Sequence, residues 1–410
     1  MSTQLLQDND AGRQSEVAPP RPASPARHDA RHGAVATLRP STRVPSGWIV
    51  NGWFDSLFLS NAAWPLLAAA LLWLGPAFQS GVSFWQVYFV STPHRWITLA
   101  LVFLDRRRFR ERPAAFLGTA VVLTAACLGL RQSAGALTCV LVIDYVWNAW
   151  HFASQHAGIV RIYARQAKGA AAGSGWAEKL LMRMFVLAVM LRISDVAWML
   201  VGQPLQGLGY FQDRLHLGFH QMLAWADWAT VGVAAALLAV SRPGFGRAER
   251  GRSLYLISVI SLYLVLLGAV HFRRLEVLPA LIVVMALFHA AEYLALVTWS
   301  VHQRFPEQMP HPVEAETATR FFEETPHQSS MRPEGFNLLA AIVPQWGLTL
   351  ALLCLGLGVA GWMADRRLAE TWLTINLAVS FLHYAYDGMI WKRGRATGSA
   401  GAPPRFSLHN

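Results

Sequence analysis

Apolar stretches of 17 or more residues recur along this chain from Ser56 to Trp391, separated by short segments carrying Arg, Asp, Gly and Pro. Crossing a hydrocarbon core of about 30 Å takes about 20 helical residues, so runs of this length predict membrane-spanning helices rather than short alternating strands. Ten segments fit, near 56–78, 82–104, 114–130, 134–160, 181–201, 219–240, 254–270, 275–300, 336–360 and 368–391. The expected fold is all-α, a polytopic transmembrane helical bundle of about ten spans. Two segments carry polar interruptions: the first begins with Asn61 and Pro65, and the fifth holds Arg192 and Asp195.

The connecting segments predict the orientation. With the N-terminus inside, Lys and Arg number 27 on the cytoplasmic side and six on the other, a bias that favours N-in and C-in with an even number of spans. Trp48, Trp53, Trp85, Trp176, Trp362 and Trp391 fall near span ends, as interfacial aromatic belts require. Residues 1–47, rich in Pro, Ala, Arg, Ser and Asp and without an apolar core, predict a disordered cytoplasmic tail rather than a cleaved signal peptide. Residues 48–392 form the transmembrane domain, with a cytoplasmic loop at 301–335 that could cover an entrance, and 393–410 a second cytoplasmic tail. The expected location is a bacterial cytoplasmic membrane.

Composition agrees with that picture. The chain is 54% apolar and 14% charged, against about 25% charged for soluble proteins. Its net charge of +11 resides in arginines of the short loops, where it serves topology and anionic head groups rather than nucleic acid. The three cysteines, Cys127, Cys139 and Cys354, sit in apolar segments without paired spacing and read as small core residues.

The candidate chemistry lies inside the spans. His94, His151, His289 and His383 lie nine to twelve residues before the cytoplasmic ends of the second, fourth, eighth and tenth segments, which all run from outside to inside. At 1.5 Å per residue their depths agree to roughly one turn, so four helices offer imidazole at one level. Ionisable groups in hydrocarbon cost about 2.5–3.5 kcal/mol each, and several together require partners. Glu292 follows His289 by three residues and Asp387 follows His383 by four, so each pair can face one point in a bundle. His156 follows His151 by five, about 140° around the helix, and so is an optional member or has a separate role. Asp144, seven before His151, shares its face as a relay or supporting group. Pro93 permits a kink beside His94, and Arg95 needs a partner.

Other polar groups have plainer readings. A lone helix-interior histidine commonly hydrogen-bonds a neighbouring helix. His216 and His220 lie at the outer interface, Arg192 and Asp195 suit an ion pair within one helix, and His28, His32, His311, His327 and His409 lie on the solvent side.

Imidazole and carboxylate donors without thiolate suit iron, manganese or zinc, in a mononuclear or dinuclear site. The expected metal ligands are His94, His151, His156, His289 and His383, with Glu292, Asp387 and Asp144 as acid–base or completing groups. In span number and in this scatter of histidines over separate helices, the chain resembles the polytopic bacterial Brp/Blh family of carotene-cleaving dioxygenases, which carry histidines on several membrane helices around iron. The likeness is one of layout, with no shared local motif, and assigns no residue. Membrane desaturases use a similar multi-histidine logic with HxxHH boxes, and this chain has no HH pair. The run from Asp387 to Arg395 is similar to the opening of the CDP-alcohol phosphotransferase motif but lacks its later acidic residues. The expected function is a metal-dependent, chiefly iron-dependent, oxygenase or oxidoreductase. It would act on a lipid-soluble substrate drawn from the membrane lipid, with an electron-donor protein as partner. Two alternatives use the same groups: a proton- or metal-ion-coupled transporter, and a haem-binding electron-transfer protein.

Overall fold

The computed structural model describes residues 47–134, 138–168, 175–201, 209–305 and 337–391, and among them every regular element is helical. All of these belong to the unit Val44–Asn410; a separate unit, Met1–Arg43, lies outside the described residues. The readings of both tails and of the loop beyond Phe305 lie outside them too.

The short α1 (Gly52–Phe54) runs into a π-helical turn at Asp55–Leu59, followed by α2 (Trp64–Trp73) and α3 (Gly75–Trp85). A second π-helical turn, Gln86–Ser91, leads into α4 (Thr92–Phe103), and α5 (Arg106–Glu111) follows. Five long helices come next: α6 (Pro113–Ala134), α7 (Thr138–Lys168), α8 (Gly175–Val201), α9 (Gly209–Ser241) and α10 (Arg250–His271). Then come α11 (Leu278–Arg304), α12 (Leu338–Ile342) and α13 (Trp346–Ile390).

Five helical stretches are long and apolar enough to cross a membrane: Pro113–Gln132, Met222–Ser241, Arg250–His271, Leu275–Arg304 and Leu338–Ile390. Gly52–Leu59 and Trp64–Trp73, bent by 45°, make a sixth if they count as one span. These features are compatible with a membrane protein, but the number is below the ten expected. The shortfall has physical causes. The last two expected segments merge into α13, broken only at Leu368 (φ −140°, ψ 43°). Helix α7 carries Asp144, His151, His156 and Arg161 along its length, which lowers its mean hydropathy.

The first expected segment, 56–78, is not one helix. Asn61 adopts φ 43° and Gly75 φ 80°, the latter a left-handed conformation that glycine accepts without Cβ strain. Pro65, Pro76, Pro93 and Pro279 each occupy the first turn of a helix, where the missing N–H costs nothing. At Pro93 the expected kink takes the form of the π-helical turn just before it, a common device near functional sites.

Helices α10 and α11 are central, with 67% and 72% of their most apolar windows buried, against 11% for α6 and 22% for α9. The peripheral helices point Val121, Val122, Trp225, Leu352 and Leu355 outward. The bundle is thus apolar inside and out, as a lipid solvent favours. Helix α7 packs along α8 and α10, while α13 packs along α4, α6 and α7. At one edge the buried Asp105 accepts the backbone N–H of Arg108 (3.2 Å), pairs with Arg304 (2.8 Å) and accepts from Asn337 (3.3 Å). One carboxylate thereby pins α5, α11 and the start of α12 together.

Candidate metal centre

Four helices bring one histidine each to the same place: α4 His94, α7 His151, α11 His289 and α13 His383. All are buried, between 0% and 7% exposed. Their ring centroids form a closed quadrilateral with sides of 5.1 Å (His94–His383), 4.6 Å (His383–His151), 5.1 Å (His151–His289) and 5.5 Å (His289–His94). The shared depth read from helix rise is therefore accompanied by convergence in the plane of the bundle.

Asp387 completes this group. Its Oδ2 lies 3.9 Å from Nε2 of both His151 and His383, and the two imidazole nitrogens are 3.1 Å apart. One ligand atom from each of these three residues falls within 4.8 Å of the others. Nitrogens bound to one ion at about 2.0–2.1 Å are roughly 3.0–3.4 Å apart for angles between octahedral and tetrahedral, so this contact suits a shared cation.

A hydrogen-bond chain sets the direction in which His383 presents its lone pair. Tyr293 donates to Asp387 Oδ1 (2.8 Å), Thr98 bonds Tyr293, and Thr98 Oγ1 lies 2.6 Å from His383 Nδ1. With the carboxylate accepting, Tyr293 oxygen must accept from Thr98, and Thr98 oxygen from His383 Nδ1–H. His383 Nε2 is then an acceptor facing His151, as a metal ligand oriented by its outer partners should be.

His289 is different. Its ring stacks on Phe152 at 3.6 Å and 11°, and neither nitrogen has a hydrogen-bond partner among the described residues. Leaving a buried polar group unpaired costs about 1–3 kcal/mol. The His94 and His151 rings lie 5.5 and 5.1 Å from it, while the ligand atoms that come within 4.8 Å of one another belong to His151, His383 and Asp387.

His156 does not join the quadrilateral. Its Nδ1 lies 2.7 Å from Tyr255 Oη and its Nε2 3.1 Å from Tyr263 Oη, both on α10. The 140° turn from His151 aims it at a different neighbour. Glu292 goes with it: its Oε2 lies 3.3 Å from His156 Nδ1 and accepts from Gln155 (3.0 Å). The expectation that Glu292 serves His289 is thus corrected, because α7 approaches α11 closely enough for Gln155 and His156 to take the carboxylate. Among the described residues Asp144 is linked to the centre through Tyr384, whose one hydroxyl proton is shared between Asp144 Oδ1 (3.3 Å) and Asn148 Oδ1 (3.0 Å) while its ring lies 5.1 Å from His151. Arg95 donates to Ser380 Oγ (2.7 Å).

Arg192 pairs with Asp227 of α9 (3.0 Å), which also meets His271 (3.0 Å). The side chains of Asp195, His216 and His220 lie outside the described residues, as do His28, His32, His311, His327 and His409.

Sequence reading missed Thr98, Tyr293, Phe152, Gln155 and the two α10 tyrosines. Thr98 and Tyr293 follow His94 and His289 by four residues each, a same-face spacing that marks them as neighbours of the ligands. Tyr255 and Tyr263 carry no such signal, since aromatic residues are ordinary in spans.

Comparison with protein-family models, with curated proteins and with solved structures finds no match for this chain. The functional reading therefore rests on the geometry.

Proposed function

We propose that the chain is an integral membrane protein in which His94, His151, His289 and His383, with Asp387, hold a transition-metal ion, iron foremost. We propose further that it acts there as an oxidoreductase on a lipid-soluble substrate. The observation that carries this reading is His289, buried beside the His94 and His151 imidazoles with both nitrogens unmatched among the described residues. A bound iron would supply redox and Lewis-acid chemistry; manganese or zinc fits the same donors.

The chain's own residues have separable tasks. Thr98 and Tyr293 fix the tautomer of His383 and orient Asp387. Asp387 Oδ2, facing two ligand nitrogens, is the group placed to hold or pass a proton at the centre. Phe152, Tyr293 and Tyr384 wall the site against water. Counting the bent pair as one crossing and α13 as two, we infer ten crossings with both termini cytoplasmic.

Adjacent imidazoles at 4.6–5.5 Å leave no room for a porphyrin between neighbouring rings of the quadrilateral, which disfavours haem held by an adjacent pair. The deciding experiment is metal content and visible absorption of detergent-purified wild type and His289→Ala. Near-stoichiometric iron that is lost in the variant, without a Soret band, supports the reading. Metal-free wild type of intact fold overturns it in favour of transport.

A further inference from the structure

A second site lies on the outer face of α7 and α8; it rests on the membrane reading and not on a bound metal. Ile143, Val146, Trp147 and Trp150 of α7 and Leu187 and Leu191 of α8 are among the wholly apolar residues lining a cleft of about 590 Å³. The cleft opens sideways from the bundle: Ile143 is 50% and Trp150 45% exposed. Leu187 and Leu191 continue a four-residue stripe that begins with Lys179 and Arg183, so one face of α8 changes from cationic to apolar along its length.

The cationic end closes the cleft. The Arg183 guanidinium lies over the Trp150 ring, with Cζ 4.9 Å from its centroid. Arg161, from the last turns of α7, places its guanidinium against the backbone of Gly175 at the start of α8, where a Cβ would collide with it. Burial, then the charges of Arg183, Arg161 and Arg165, lower the Lys179 ammonium below its ordinary value. Glu178, beside Lys179, is committed to Arg252. Arg183 Nε and Arg161 Nε and Nη1 are buried and have no hydrogen-bond partner among the described residues. Like charges crowded together with unused donors complement an anion.

We propose that this groove binds an anionic phospholipid of the surrounding bilayer, its phosphate held by Arg183 and Lys179 and an acyl chain lying along Trp150, Leu187 and Leu191. Charge complementarity and the sideways opening select this occupant. A peptide partner would leave the apolar end without polar satisfaction for its backbone, and a zwitterionic lipid would leave the net positive charge unmatched.

The test is native mass spectrometry of the full-length protein in detergent, titrated with phosphatidylglycerol or phosphatidylcholine. Wild type should retain phosphatidylglycerol in preference to phosphatidylcholine by about 30-fold, from two basic groups near the surface. Lys179→Gln with Arg183→Gln should bring the two lipids to parity. Arg366→Gln, which removes a charge from a different aromatic contact, should leave the preference as it is. Leu191→Trp, which fills the cleft and keeps every charge, should weaken retention of both lipids and gives a second readout if the charge variants fold poorly. Equal retention of the two lipids by wild type, or an unchanged preference in the double variant, overturns the proposal. So does an equal loss in Arg366→Gln.

Discussion

His151 and His156 stand on one helix, five residues apart, and meet opposite surroundings. His156 is answered by the protein: a phenol at each nitrogen and a carboxylate within 3.3 Å. His151 and the rings around it are answered mostly by each other, and neither nitrogen of His289 has a hydrogen-bond partner among the described residues. Burial alone does not distinguish these groups, because all are nearly inaccessible. Hydrogen-bond satisfaction does. A buried imidazole whose nitrogens are both matched behaves as a structural polar link, whereas one left bare among other ligating groups costs stability unless a cation takes its lone pair.

The comparison can be broken most decisively by metal analysis. His383→Ala or His289→Ala should lose nearly all bound metal, while His156→Phe should keep most of it, as measured by elemental analysis of purified protein. Equal loss in all three variants would dissolve the distinction.

Next in size is stability without metal. His156→Phe leaves two phenols and Glu292 without their partner and should destabilise by about 3 kcal/mol. In chelator-treated protein His289→Leu should be neutral or stabilising, because it removes orphaned nitrogens. Thermal unfolding of both variants after chelation checks the sign, and a His289→Leu protein that unfolds far below wild type would contradict the account of that ring.

A smaller effect is expected from the relay. Tyr293→Phe removes the donor that orders Thr98 and His383, and should weaken metal affinity by about 10–100-fold with the ligands intact. Competition with a metal-binding dye measures it, and affinity equal to wild type would show that the His383 tautomer is set by something else. Affinity should also fall as pH is lowered in wild type, since imidazole must be unprotonated to ligate. The smallest effect belongs to Tyr384→Phe, which cuts the contact from Asp144 and Asn148 to the ring over His151. A loss of less than about tenfold separates it from the relay that bonds a ligand nitrogen directly.

Much of this arrangement was legible from residue spacing. Depth follows from helix rise, so the common level of His94, His151, His289 and His383 could be read without coordinates, as could the divergence of His156 from His151. The allegiance of Glu292 could not. Three residues from His289 on α11 places it within about 60° of that ring, yet that arc is wide enough to face a different helix. Gln155 and His156 of α7 occupy that side. The break at Asn61 and Gly75 was half legible, because Asn61 and Pro65 interrupt the first apolar segment, while the bend depends on backbone conformations that composition does not specify.

The amino-acid sequence by itself determined that this is a helical chain with a membrane-length apolar pattern, and that imidazoles occur at one depth on four segments. It could do so because hydropathy and rise per residue are local properties. Only the tertiary structure decided which polar groups meet. Rotation of each helix about its axis, and the choice of its neighbours, follow from the packing of all the helices at once. That packing set His289 beside His94 and His151 and turned Glu292 toward His156.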